Sequence, residues 1–86
     1  MDIFELRYNK IDINLLNEIC KKIKNGLINN LTLYCCKISI NKIIKITDAI
    51  KISKTFHTLN ISRNNIGDKG IKEIADAINL VIHFIH

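Results

Sequence analysis

Few side chains in this sequence can carry chemistry: three cysteines at positions 20, 35 and 36, three histidines (His57, His83 and His86) and eight carboxylates. A structural metal site needs ligands at short fixed spacings, and a thiol-disulfide centre needs C-x-x-C. The adjacent pair Cys35-Cys36 fits neither, and no histidine stands at ligand spacing from a cysteine pair. An odd number of cysteines makes no disulfide framework. Neighbouring strand residues also point to opposite sides, so Cys35 and Cys36 should see different surroundings, with Cys36 as an inert buried thiol. The carboxylates are dispersed along the chain, which argues against general acid–base work, and the glycines form neither G-x-G-x-x-G nor a P-loop. Nothing here calls for a catalytic residue, a metal, a cofactor or a small-molecule substrate.

The strongest pattern is a repeat. Leu59-Asn60-Ile61-Ser62-Arg63-Asn64-Asn65-Ile66 aligns with Leu31-Thr32-Leu33-Tyr34-Cys35-Cys36-Lys37-Ile38, 28 residues earlier, and with Phe4-Glu5-Leu6-Arg7-Tyr8-Asn9-Lys10-Ile11, a further 27 residues back. Their shared skeleton is L-x-L-x-x-N-x-I, with Cys36 in the Asn column. A fixed period of this length is the mark of stacked supersecondary units. The alternation L-x-L puts two apolar residues on one face of a short strand, and a helical half follows with inward residues Leu16, Ile19, Ile23; Ile43, Ile46, Ile50; and Ile71, Ile74, Ile78.

Between strand and helix the chain must turn, and backbone groups left inside the turn need partners. Asn9 and Asn64 are expected to supply them through the side-chain amide, and Cys36 less firmly through a weak S–H donor. Asn14, Asn41 and Asp68 are expected as helix N-caps, and Asn25-Gly26 as a helix stop. Gly67 and Gly70 suit a tight start to the third helix. Ile28, Phe56 and Phe84 fall in one column ahead of each next strand, as filler between helix and sheet.

This skeleton resembles the leucine-rich repeat, and its long period with a helix per unit is similar to the ribonuclease-inhibitor class of that family. The resemblance implies an α/β solenoid: short parallel strands on a concave face, helices on the convex face, and a right-handed superhelix. It implies one domain over residues 1–86, with repeats at about 4–30, 31–58 and 59–86. Terminal units of such arrays normally carry polar caps. The run Leu80–Ile85 is apolar, so the chain is expected either to belong to a longer array or to self-associate through its C-terminal turn.

Formal charge is +5 with a sequence pI near 9.3. Eleven of the thirteen basic residues are lysines scattered along the chain, whereas a nucleic-acid footprint is a stripe on one face. Heavy use of Ile, Asn and Lys fits the drift of an AT-rich genome. The N-terminal residues Asp2 and Glu5 interrupt any apolar run, so neither a secretory signal nor a membrane span is expected, and a cytoplasmic location is the default.

Stacking would align the outward residues in columns: Glu5, Thr32, Asn60; Arg7, Tyr34, Ser62; Tyr8, Cys35, Arg63; Lys10, Lys37, Asn65. Proteins of the resembled family commonly bind other proteins across this face. Arg7, Tyr8, Lys10, Tyr34, Lys37 and Arg63 are therefore the candidate partner-binding residues, since Tyr and Arg dominate interface energetics. The alternatives are a regulator of an enzyme partner, as in the GTPase-activating and enzyme-inhibiting relatives, and, ranked lower, a basic RNA-binding surface.

Overall fold

In Leu31-Thr32-Leu33 the two leucines are fully buried and Thr32 is half-exposed, as strict alternation across a pleated strand requires. A computed structural model describes residues 2–78 and 83–85 of the chain. Strand and helix alternate throughout: β1 (Ile3–Arg7), α1 (Ile13–Lys24), β2 (Asn30–Tyr34), α2 (Ile40–Ile52), β3 (Thr58–Asn60), α3 (Asp68–Ala77) and β4 (His83–Ile85). The strands form one parallel sheet in the order β1-β2-β3-β4, so each helix is a crossover between neighbours. The expected strands are present, although β3 ends at Asn60 and leaves Ile61 just beyond it.

Register follows the repeat. Phe4 lies opposite Leu31, and Leu31 opposite Leu59. These inward residues pack with Leu16, Ile19 and Ile23 of α1 and Ile43, Ile46 and Ile50 of α2 in a single core that Ile28 and Phe56 close. Each fully buried Leu or Ile contributes about 1.5–3 kcal/mol by leaving water. In the third unit Ile74 and Ile78 are buried but Ile71 only partly so.

The register corrects one column. Phe84 was expected ahead of a strand, with Ile28 and Phe56, but it lies within β4 opposite Leu59. The cause is helix length: α3 has 10 residues where α2 has 13, so the chain returns to the sheet three residues sooner. Of the apolar run expected to mediate self-association, residues 80–82 lie outside the described residues.

The helix starts also differ from expectation. Asp12 and Ser39, not Asn14 and Asn41, are the N-caps: Asp12 Oδ1 accepts from Leu15 N at 2.8 Å, and Ser39 Oγ from Lys42 N at 3.4 Å. Asp, Ser and Asn cap about equally well, so residue type alone could not choose between positions two apart. Gly67 caps α3 with φ 85°, a left-handed conformation that excludes most side chains, and Asp68 is the first helical residue, where its charge complements the helix dipole. At the other end of α1, Asn25 is the C-cap and Gly26 follows at φ 76°, as the Asn-Gly stop predicts.

The turn asparagines behave differently from each other. Asn64 is buried, and its amide donates to Leu33 O at 2.6 Å and to Ile61 O at 2.8 Å. Asn9 is exposed and makes only a local bond to Arg7 O at 2.8 Å. Asn64 thus reaches back to the unit before it, whereas Asn9 bonds only within its own turn.

Candidate functional site

Alternation that buries Leu31, Leu33 and Leu59, and Leu6 in part, turns Glu5, Arg7, Thr32, Tyr34 and Asn60 to the opposite face of the sheet. Pairing of Glu5 with Thr32, Thr32 with Asn60, and Arg7 with Tyr34 makes the expected columns real neighbours. Past the strands the ladder runs on: Tyr8 N donates to Tyr34 O at 3.0 Å, and Cys35 N to Ser62 O at 3.1 Å.

At that point each unit bends in the same way. Tyr8, Cys35 and Arg63 have φ of 57°, 53° and 63°, and Lys37 and Asn65 repeat the left-handed conformation two residues later. Bulky residues rarely adopt it, so the surrounding backbone pairing must hold these turns in shape. Alternation ends there, which leaves Cys35 half-buried beside a buried Cys36.

Three of the six candidate residues meet. The Tyr8 and Tyr34 rings are 5.5 Å apart between centroids at 81°, an edge-to-face pair, and the Arg7 guanidinium lies 5.2 Å from the Tyr34 ring centre. Arg7 Nη2 is also 3.5 Å from Glu5 Oε2, an exposed ion pair of small energetic weight. Tyr8 is 72% exposed, and its phenol is pushed above the ordinary 10.0, first by the neighbouring Tyr34 hydroxyl, with Arg7 opposing.

Lys10 and Lys37 sit elsewhere on the rim. They line a groove of about 310 Å³ with Asp12, Ile38 and Lys42. Lys42 is a residue that the sequence pattern missed: its Nζ donates to Ile11 O at 2.6 Å, across two units. No spacing rule places the first turn of α2 beside the first inter-element turn. Arg63, on the third unit, borders a separate groove of about 170 Å³ with Asn65 and Ile71.

Two of the three thiols are held apart from this face or beneath it. Cys36 Sγ donates to Leu6 O and Tyr34 O at 3.5 and 3.4 Å, and Cys20 Sγ to Lys45 O at 3.7 Å on the helix side. Burial pushes the Cys20 thiol up, against the nearby Lys24 and Lys45 charges. Among the described residues no group of three or more His, Cys, Asp or Glu could hold a metal ion, and no described helix is long and apolar enough to cross a membrane.

Residues 53–75 match the family model described as Leucine Rich repeat. That segment runs from the end of α2 through β3 and most of α3, so it coincides with one strand–helix unit. No curated protein and no solved structure matches the chain. The match supports a leucine-rich repeat set in a parallel α/β sheet, and such repeats generally mediate protein–protein interaction.

Proposed function

We propose that the three strand–helix units are stacked repeats of one ribonuclease-inhibitor-like solenoid, a right-handed superhelix with its strands on the concave side. On this reading the protein is a non-enzymatic, cytoplasmic interaction module that binds another protein through Arg7, Tyr8, Lys10, Tyr34, Lys37 and Arg63. The observation that carries the reading is the cluster of Tyr8, Tyr34 and Arg7 on the sheet face away from the helices. Large rings with polar tips, left in water and already ordered against each other, lose little freedom on binding and gain much contact area. The near-constant 27- and 28-residue register supports the stacked arrangement.

The test is capture of the partner from the native cell, its identification, and reconstitution from purified proteins. Tyr34→Ala combined with Arg63→Ala should abolish binding and leave the circular dichroism spectrum and melting temperature nearly unchanged. Binding that survives the double substitution removes the strand face as the site. Equal losses from Lys45→Ala and Lys72→Ala, on the helices, would point to diffuse charge instead.

A further inference from the structure

The proposed binding face is basic. The strand face, its turns and the two grooves beside them carry Arg7, Lys10, Lys37, Lys42 and Arg63 against Glu5, Asp12 and Asp68, and both aspartates stand at helix starts. Both arginines of a chain that otherwise uses lysine lie on this face, which AT-rich compositional drift does not account for.

These cations are also unspent. Among the described residues no carboxylate lies within ion-pair distance of Lys10, Lys37 or Arg63, and Arg7 has only Glu5. Asp12 borders the Lys10–Lys37 groove, but its Oδ1 is committed to Leu15 N at the start of α1, and Lys42 brings a further cation to the same groove.

Footprint points the same way. Three strand spacings by one short strand give about 250 Å² of flat sheet, well below the ~800 Å² per partner of a standard interface. A partner must therefore extend onto the turns, where the basic residues are. We infer that it does so with an acidic segment, whose carboxylates meet Lys10, Lys37 and Arg63 while its apolar atoms pack on Tyr8 and Tyr34; this rests on the binding face proposed above. A nucleic acid is the other polyanion, but base recognition on single strands needs open ring faces for stacking. Arg7 lies over Tyr34, and Tyr8 meets that ring edge to face, so the two rings offer no parallel platform.

Fluorescence anisotropy with the purified chain tests the inference, using a labelled alternating Glu-Ala peptide, its Gln-Ala counterpart and an oligouridylate of matching charge. The Glu-Ala peptide should bind at least about tenfold more tightly than the Gln-Ala peptide, and should weaken as salt is raised. Lys10→Glu with Lys37→Glu and Arg63→Glu should remove at least about tenfold of that affinity, and the same reversals at Lys45 and Lys72 less than about twofold. If the triple reversal lowers the melting temperature, the triple Gln variant takes its place. No preference for Glu over Gln, tighter binding of the oligouridylate, or an equal effect of the helix-side reversals would overturn the inference. Selection from a random peptide library separates it from the reading beneath: neutral binders lost on Tyr34→Ala keep the binding face and sink the acidic partner. Acidic binders lost on Tyr34→Ala support both.

Discussion

Asn64 Oδ1 accepts a hydrogen bond from Cys36 N at 2.8 Å, tying together two turns that are 28 residues apart. It accepts from Ile38 N as well, at 3.4 Å, while the amide nitrogen donates to Leu33 O and Ser62 O. Cys36 does half of this one unit earlier. Its Sγ points at Leu6 O and Tyr34 O, the register equivalents of Leu33 O and Ser62 O, but a thiol has no strong acceptor to return.

Asn64→Ala is therefore expected to destabilise the protein by about 3 kcal/mol, since it strands several buried backbone groups at about 1–3 kcal/mol each before relaxation. Cys36→Asn should do the opposite and add about 1 kcal/mol, by giving the first turn the acceptor it lacks. Urea unfolding of the two variants measures both; a neutral Asn64→Ala would mean that the turns hold without the bridge.

Leu33 is fully buried at the centre of the sheet, and Leu33→Ala should cost about 2–5 kcal/mol, the usual range for a leucine truncated in a close-packed core. Ile52, exposed at the end of α2, should cost less than about 0.5 kcal/mol when truncated in the same way. Thermal melts of both variants would expose an error in the assignment of core and surface.

The Tyr8 phenol should ionise above the ordinary 10.0 because the Tyr34 hydroxyl favours its neutral form. A raised folded-state value means that the associated stability is complete below the ordinary tyrosine value and fades as pH rises through the shifted one. Absorbance titration of the phenolates should show Tyr34→Phe bringing the Tyr8 midpoint down. No movement would separate the two hydroxyls in solution.

Thiol labelling should rank the cysteines by position. Cys36 is buried and should react last, and Cys20, with its thiol pushed up by burial, should stay slow at neutral pH and quicken as pH rises. Mass spectrometry of partly alkylated protein reads the order. Early modification of Cys36 would contradict its place in the turn.

What the sequence made legible was whatever recurs. Leu31, Leu33 and Leu59 declare an inward face by alternation, and the columns Glu5–Thr32–Asn60 and Arg7–Tyr34 follow from the period alone. What stayed hidden depends on lengths and on partners from other units. Phe84 moved because α3 is three residues shorter than α2, and Asn9, in the same sequence column as Asn64, bonds only within its own turn. The helix caps were missed because Asp12 and Ser39 stand two residues from equally competent asparagines. The meeting of Tyr8 with Tyr34 needed a left-handed turn that no glycine announces.

That turn has a consequence for how the protein can change. Tyr, Cys and Arg share a positive φ at three equivalent places, and at Tyr8 and Cys35 the backbone N–H pairs with the next unit, so the bend does not depend on one side-chain type. A glycine or asparagine there would relieve backbone strain and gain stability. The row at 8, 35 and 63 can thus accept different side chains over the same bend, but a change that relieves its strain also removes a contact side chain, so stability and recognition are opposed there.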